Sequence, residues 1–342
     1  MQNKLTEFQI LPNEQGRIVE PGWAAKLVFD YCPRNIVQER MKIREWDSYI
    51  LTSSSGDYAL TMHIADNRAL GQVSACFYDI KNKAKYECYN PKPLHGGSIT
   101  LSKTSESGSS VYKGLFCEFM CLVNSSDRHL YCNYSKVFNA SIAANVHVNR
   151  DSSSESVSVL IPMNDDKTQF CCNQVIACMP VSGSVTVNSQ NFEFDSGADF
   201  AVLDWGRGVW TKNCRRIHCV GNALVNGKPF GFNIGYGFGN TDAATENAFF
   251  YDGVCHKLDK IFIDYPCADD NYKMCTVRSN DKRFEMKIEP LYYCENEHDF
   301  TVVRQSEKIM FGRMSGTAVT EDGAKIEVKD MICYFEQSTG KY

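Results

Sequence analysis

Long apolar runs are missing from this chain of 342 residues. The longest one, Val175 to Val181, is far shorter than the roughly 20 apolar residues that a bilayer-spanning helix needs. The first residues, Met1 to Glu7, contain no apolar core and no small-residue cleavage site of the kind that marks a secretory signal. We therefore expect neither a membrane span nor a secretory leader.

An excess of positive charge is missing as well. Lys and Arg together number 36, against 41 Asp and Glu, which leaves a net charge of −5 at pH 7. Proteins that bind nucleic acid present a basic face to the phosphates. The lysine trio Lys81, Lys83 and Lys85 has instead the alternation of a solvated strand face. The composition therefore argues against a nucleic-acid partner.

Sixteen cysteines are present, but no two of them have the C-x-x-C spacing. Structural zinc sites usually present closely paired ligands, and disulfide scaffolds are short secreted chains. Many of these cysteines have aromatic neighbours, such as Phe77 after Cys76 and Phe116 before Cys117, which is typical of buried thiols. We therefore expect free cysteines in a reducing compartment, the cytoplasm, and no bound metal.

The common nucleophile motifs are absent. The chain has no G-x-S-x-G, no H-E-x-x-H and no papain-like Cys motif, and its seven His residues are dispersed. The glycine-rich segment 231–239 has G-x-G-x-G spacing in strand register, with no helix start after it, so it does not match a phosphate-binding loop. We therefore expect no nucleotide and no other cofactor.

Alternation of apolar and polar residues dominates the chain. In the segment Tyr58 to Ile64 every second residue is large and apolar, and a period of two recurs at 183–187, 192–194 and 325–328. Helical periodicity is limited to 34–44, where it predicts a short helix. The sequence thus predicts an all-β protein with minor helix.

Turn signals and a weak internal repeat indicate how the strands are organised. Hairpin turns are predicted at Asn226-Gly227, Asp252-Gly253 and Asp322-Gly323. The pentapeptide Ala75 to Asp79 is echoed at Ala248 to Asp252, which suggests two similar units. A new strand series begins just after Pro180. We therefore predict one β-barrel domain over 1–180 and a second over 181–342.

The glycine-rich segment 231–239 has two very different faces. Large residues, Phe232 and Ile234 among them, alternate with glycines, and Asn233 is the sole polar side chain on the glycine face. Because glycine weakens a strand, so many on one face indicate a close approach by another group. The alternatives are a ligand, a neighbouring sheet, or strong coiling of the strand itself.

Two stretches flank this segment. In 203–210, Asp204 and Arg207 form either a structural ion pair under aromatic cover or the polar anchors of a pocket rim, since ligand sites combine aromatic walls with few polar groups. In 242–247, Glu246 belongs either to an ordinary loop or to a cluster that supplies a general acid or base when burial raises a carboxyl pKa.

The segments Asp204 to Trp210, Gly231 to Gly237 and Tyr251 to Gly253 resemble the domain-of-unknown-function family 2804, as do Ile43 to Asp47 and Phe311 to Thr317. More distantly, that family is similar to lipocalin-like tandem-barrel proteins, which include carotenoid hydratases and tocopherol cyclase. The resemblance implies two tandem lipocalin-like antiparallel β-barrels and a lumen for an apolar ligand. It does not by itself supply a reaction.

The sequence departs from the family pattern at three positions. Relatives carry Pro where Thr211 stands, and tryptophans near Arg216 and His218. These departures make Arg215, Arg216 and His218 candidates either for a diverged pocket or for an altered surface.

The function that we expect is the binding of an apolar or amphipathic small molecule in a barrel lumen, by an enzyme of lyase, hydratase or cyclase type that uses acid–base catalysis. Asp204 or Glu246 would be the proton donor, and Arg207 would orient a polar group of the ligand. The other expected ligand-binding residues are Trp205, Trp210, His218, Asn233, Tyr236, Asp242 and Asn247. Two alternatives stay open: a carrier without catalysis, and a signature that only braces the domains.

Overall fold

A computed structural model describes residues 2–94, 97–138, 140–210, 213–237, 239–264, 273–300 and 303–341. Its strands are β1 Gln9–Leu11, β2 Gly22–Ala24, β3 Phe29–Tyr31, β4 Ile43–Thr52, β5 Tyr58–Asp66, β6 Leu70–Asp79, β7 Ala84–Pro93, β8 Ile99–Thr100, β9 Gly108–Lys113, β10 Cys117–Val123, β11 Asp127–Tyr134, β12 Ile142–Asn149, β13 Val157–Pro162, β14 Phe170–Val187, β15 Gln190–Phe194, β16 Phe200–Val209, β17 Asn213–Val225, β18 Lys228–Tyr236, β19 Ala248–Tyr251, β20 Val254–Lys257, β21 Ile261–Asp264, β22 Cys275–Ser279, β23 Phe284–Phe300, β24 Val303–Val319 and β25 Lys325–Lys341. Short 3-10 turns lie at Pro33–Asn35, Arg40–Lys42 and Lys136–Phe138. The predicted all-β class with minor helix is confirmed.

The strands form two large curled sheets. Sheet 1 has the order β7-β6-β5-β4-β16-β14-β12-β11-β10-β9-β8, with β2, β13 and β15 attached beside this path. Sheet 2 has the order β20-β19-β18-β17-β25-β24-β23-β22-β21. Pairing within both sheets is antiparallel, and the small β1–β3 pair is parallel. This arrangement is the tandem antiparallel barrel architecture that the sequence predicted.

The predicted hairpin turns are confirmed. Asn226-Gly227 joins β17 to β18, and Asp252-Gly253 joins β19 to β20, with positive φ at all four residues. Both central residues of a type I′ turn need positive φ, which Asn, Asp and Gly tolerate best. The turn at Gly323 joins β24 to β25.

The short helix predicted over 34–44 is wrong in detail. The segment forms two separate 3-10 turns, neither of which has a side-chain cap or a buried residue. The side chains of Val37 and Met41, which were expected to form part of an apolar stripe, are exposed. Without packing against a core, so short a segment has too few hydrogen bonds to sustain an α-helix.

Three apolar clusters hold the fold together. The first fills the concave side of sheet 1 and includes Leu51, Phe77 and Trp205. The second fills the concave side of sheet 2 and includes Phe232 and Met310. A third lies between the convex outer faces of the two sheets. Each lumen is therefore packed with side chains, and the sheets also share a buried interface.

The chain passes from sheet 1 to sheet 2 between Val209 and Asn213. The boundary expected near Pro180 lies inside the long strand β14, which pairs with β12 and β16 on either side of it. As a result, the signature stretch that starts at Asp204 begins in sheet 1 and continues in sheet 2.

Thiols such as Cys76, Cys132 and Cys219 are free and buried, as their neighbours predicted. Within the described ranges, no helix has the length and apolar character needed to cross a membrane.

Candidate functional site

A cavity of about 170 Å³ lies between the outer faces of the two sheets. Strands β4 to β7 and β16 form one wall, and β17, β23, β24 and β25 form the other. The sequence led us to expect a ligand in a barrel lumen, whereas this cavity lies outside both lumens. Each sheet also has an apolar cluster of its own.

The floor of the cavity is one polar row that crosses five strands of sheet 1. Asp204, Ser48, His63, Ser74 and Tyr89 lie directly opposite one another on β16, β4, β5, β6 and β7. Side chains in one register row point to the same face of a sheet. The two serines are small, so the row leaves a depression between its larger members, and this depression becomes the cavity when sheet 2 covers it.

The facing wall carries acidic and imidazole groups. Glu336 on β25 lies directly opposite His218 on β17. Glu307 on β24 lies opposite Asn296 on one side and Ser338 on the other. All five side chains belong to the cavity lining. Titratable groups from both sheets therefore line one shared cavity.

Asp204 is the start of a buried chain of charges. Its Oδ1 accepts hydrogen bonds from Trp46 Nε1 at 3.2 Å and from Asn173 Nδ2 at 2.6 Å. Its Oδ2 bonds Arg216, and Arg216 Nη2 donates to Glu246 Oε2 at 2.8 Å. Burial acts to raise the pKa of Asp204, but the electrostatic effects of Arg216 and His218, together with the hydrogen bonds from Arg216 and Asn173, hold that pKa below its usual value.

A second chain passes through His218. Its Nε2 bonds Asn233 Oδ1 at 2.7 Å, and its Nδ1 lies 3.8 Å from Asp204 Oδ2. Asn233 Nδ2 donates to the Glu246 backbone carbonyl at 2.9 Å and to Glu246 Oε2 at 3.1 Å. Since the Asn233 oxygen is an acceptor, the shared hydrogen lies on Nε2 of the imidazole.

The glycines of the signature make room for these side chains. A Cβ on Gly206 would lie 2.0 Å from the Trp46 ring, and a Cβ on Gly235 would lie 2.1 Å from Glu246 Cδ. Of the three alternatives for the glycine face, the structure thus supports close approach by the protein itself. Phe238, which belongs to the same pattern, lies outside the described residues, as does Thr211.

Arg207 and Trp205 lie on the opposite face of β16 from Asp204. Arg207 Nη2 donates to Asp47 Oδ1 at 2.8 Å and to the Ser102 carbonyl at 2.6 Å, and its guanidinium lies 4.5 Å from the centre of the Trp205 ring. The Asp204–Arg207 ion pair considered from their spacing is therefore wrong. Residues three apart on a strand point to opposite faces, so each finds a different partner.

The remaining expected ligand-binding residues lie away from the cavity. Tyr236 and Asp242 are exposed to solvent. Asn247 is buried, accepts from the Gly235 backbone amide at 2.9 Å and donates to the Asp259 carbonyl at 2.9 Å, so it fixes a loop to β18. Of the expected ligand-binding and catalytic residues, Asp204, Trp210 and His218 line the cavity. Asn233 and Glu246 do not line it but contact residues that do.

The cavity contains titratable residues that sequence reasoning missed. Burial, and then the nearby Glu336 charge, raises the pKa of Glu307 to about 7. Glu307 accepts hydrogen bonds from Asn296 at 3.0 Å and from Gln305 at 2.7 Å. Burial lowers the pKa of His63, against the opposing effect of Glu336. The sequence signal for Glu307 and His63 was the alternation of polar and apolar residues. A strand with one solvent-exposed face produces the same alternation, so the signal does not identify a cavity.

One end of the cavity is closed by contacts between the sheets. The rings of Tyr89 and His298 stack with centroids 3.8 Å apart, and His298 Nε2 lies 3.1 Å from Glu87 Oε1. Gln72 of sheet 1 donates to Gln305 of sheet 2 at 2.8 Å. Among the described side chains, no group of three or more His, Cys, Asp or Glu is arranged to hold a metal ion.

The two curled sheets and their shared interface define a lipocalin-like tandem-barrel protein. The chain belongs to the family described as Domain of unknown function (DUF2804), whose profile matches residues 2–342. No curated protein matches it significantly.

Solved structures share the fold at low identity. CghA with Sch210972 is 8% identical over 88% of each chain, with a TM-score of 0.55. Kievitone hydratase from Nectria haematococca is 11% identical, over 87% of this chain and 88% of the other, with a TM-score of 0.48. A putative AttH from Nitrosomonas europaea is 8% identical, over 87% and 92%, with a TM-score of 0.47. At 8% identity, the likeness to CghA with Sch210972 establishes the architecture alone.

Proposed function

We propose that the cavity between the sheets binds an amphipathic small molecule and that the protein is an acid–base enzyme of lyase, hydratase or cyclase type. The observation that carries this proposal is the convergence of His63 from sheet 1 with Glu307 and Glu336 from sheet 2 on one cavity. Convergent polar groups in a cavity with aromatic walls are the usual basis for a binding-site hypothesis. CghA, which shares the fold, was solved with a small molecule, Sch210972.

The size of the cavity limits the ligand. A protein cavity of about 150 Å³ admits benzene, so about 170 Å³ suits the part of a ligand that contains a single ring and a short polar substituent. Trp210, Tyr78 and Tyr89 supply aromatic surface, and the polar row of sheet 1 supplies hydrogen bonds. An amphipathic ligand therefore fits this lining better than a wholly apolar one.

Glu307 and His63 suit opposite roles in proton transfer. The carboxyl of Glu307, with its raised pKa, retains a proton near neutral pH and acts as the general acid. His63, with its lowered pKa, is neutral there and acts as the general base. In hydration of an activated double bond, His63 takes a proton from water, the oxygen bonds one carbon, and Glu307 protonates the other. The reverse sequence eliminates water.

The two residues first expected to donate a proton take other roles in this proposal. Asp204 is held ionised by Arg216, so it stabilises the positive charge on Arg216 rather than donating a proton. Glu246 lies behind the cavity and positions Arg216 and Asn233. A cytoplasmic location, where the many thiols would stay reduced, belongs to the same proposal.

The test begins with a ligand identified by native mass spectrometry of protein purified from its source. That compound, with its hydrated or dehydrated counterpart, is then incubated with the protein in water enriched in ¹⁸O. We expect ¹⁸O to enter the product, and Glu307→Gln to slow this step by about 100-fold or more. Glu327→Gln, an exposed change on the neighbouring strand β25, is the matched control.

The outcomes separate the alternatives. Turnover that Glu307→Gln leaves intact would exclude Glu307 as the acid. A ligand that binds but is recovered unchanged by both the wild type and the control would identify a carrier. If no ligand is bound and no turnover occurs, the result would favour the alternative in which the signature only braces the two domains.

A further inference from the structure

Acidic side chains outnumber basic ones around the cavity. The charged groups that line it, apart from three imidazoles, are those of Glu87, Asp204, Glu307, Glu336, Arg44 and Arg216. Four carboxyls thus face two guanidinium groups. A negatively charged ligand would enter a region where the local charge repels it.

Both guanidinium groups are engaged by the protein. Arg44 Nη1 donates to three backbone carbonyl oxygens within 3.2 Å. Arg216 directs one Nη to Asp204 and the other to Glu246. An Arg that recognises a carboxylate or a phosphate normally presents two parallel N–H groups to it. Here the fork of Arg216 is already occupied by two protein carboxylates.

Hydrogen-bond acceptors concentrate on β24 and β25, in the register rows that Arg216 and His218 occupy on β17. Glu336 accepts a hydrogen bond from the Tyr334 hydroxyl at 2.5 Å, and Glu307 accepts from Asn296 and Gln305. Ser338 on β25 is the residue directly opposite Glu307. Glu336 lies two residues before Ser338, so its side chain is on the same face of the sheet as that of Glu307. An ionised carboxylate has about four acceptor sites, so this pair retains capacity for a further donor.

We propose that the ligand presents a hydroxyl or ammonium donor to the Glu307–Glu336 pair and carries neither a carboxylate nor a phosphate. This inference rests on the proposed function and names the ligand class of that same cavity. A donor placed between the two side chains satisfies acceptor oxygens of both strands. The aromatic residues Trp210, Tyr78 and Tyr89 cover the apolar part of the ligand and attract a cation when the donor is an ammonium.

Three compounds with one ring and different head groups test the proposal. The probes are 2-phenylethylamine, 2-phenylethanol and phenylacetate, which present an ammonium, a hydroxyl and a carboxylate, respectively. Their dissociation constants are measured at pH 7 by isothermal titration calorimetry with the full chain. We expect the amine and the alcohol to bind at least about tenfold more tightly than phenylacetate, because the like charges of the acid and the cavity repel.

Glu336→Gln removes a carboxyl charge from the cavity. It should therefore reduce the gap in affinity between 2-phenylethylamine and phenylacetate. Glu327→Gln, exposed on the same strand β25, should leave that gap unchanged. If Glu336→Gln does not fold, the order of affinities in the wild-type protein is the deciding result. Phenylacetate binding as tightly as the amine or the alcohol would overturn the inference, and so would a failure of all three probes to bind.

Failure of this inference differs from failure of the proposed function. Tight binding of phenylacetate would refute the ligand class while confirming a small-molecule cavity. The catalytic proposal is decided separately by ¹⁸O incorporation, which does not use these probes.

Discussion

Replacing Arg216 with Met removes the guanidinium that bonds both Asp204 and Glu246 inside the interface between the sheets. The Asp204 and Glu246 side chains are each about 5% exposed or less, so water cannot take the place of the lost cation. Removal of one partner from a buried ion pair costs about 3–5 kcal/mol. Two carboxylates lose the same partner here, but Asp204 keeps Trp46 and Asn173 as donors, and Glu246 keeps Asn233. We therefore expect a loss of about 3–5 kcal/mol in the free energy of unfolding at pH 7, a large part of the total stability of a typical domain.

The loss should depend on pH in a defined direction. In the wild type, the pKa of Asp204 lies below its ordinary value, so this group contributes stability above that value and loses it as the pH falls through the folded-state pKa. Without Arg216, burial dominates and raises the pKa of Asp204. The folded variant then takes up a proton as the pH falls below 7 and regains stability. The difference between wild type and variant should therefore be smaller at pH 5 than at pH 7.

Urea denaturation followed by tryptophan fluorescence measures both quantities. Arg215→Met is the matched control because Arg215 is exposed and its loss should change stability by no more than about 0.5 kcal/mol. Adding Asp204→Asn to Arg216→Met should recover part of the loss, since it removes one of the two unpaired charges. A loss below about 1 kcal/mol, or equal losses for the two arginine variants, would refute the reasoning.

The remaining predictions concern Glu307 and the signature glycines. Glu307→Gln should raise the free energy of unfolding at pH 8 by up to about 3 kcal/mol and have little effect near pH 4. The sign follows from the raised folded-state pKa: stability is fully present below the ordinary Glu value and is lost as the pH rises through about 7. A pH-independent difference in urea denaturation would contradict this prediction. Gly235→Ala should cost about 1–3 kcal/mol, because its Cβ would overlap the Glu246 carboxyl held by Arg216 and Asn233. The melting temperature of Gly235→Ala, compared with that of the exposed control Gly197→Ala, tests this prediction. Equal melting temperatures for the two variants would show that the Glu246 side chain moves aside without cost.

Much of the fold could be predicted because strand alternation and turn chemistry are local. Asn226-Gly227 and Asp252-Gly253 specify their hairpins within two residues, and the alternation around Tyr58 identifies β5. The segment 34–44 was misjudged because Val37 and Met41 are exposed, so its apolar residues do not form one buried helical face.

The site was only partly predictable because its partners are distant in sequence. Asp204, Trp210 and His218 were found from local composition, and all three line the cavity. Arg207 was assigned to Asp204 by nearness along the chain, yet its partner Asp47 is 160 residues away. His63 and Glu307 lie on alternating polar faces that resemble solvated surface. Only the packing of one sheet on the other turns those faces into the lining of a cavity.

The most direct test of the central claim is native mass spectrometry of the protein purified from its source, compared with Ser74→Trp. Ser74 lies between His63 and Tyr89 in the polar row, so a tryptophan there fills space between the sheets. Ser125→Trp, in an exposed turn, is the control. We predict one bound small molecule per chain in the wild type and the control, and none in folded Ser74→Trp. A ligand retained by Ser74→Trp, or a ligand-free wild type, would contradict the account.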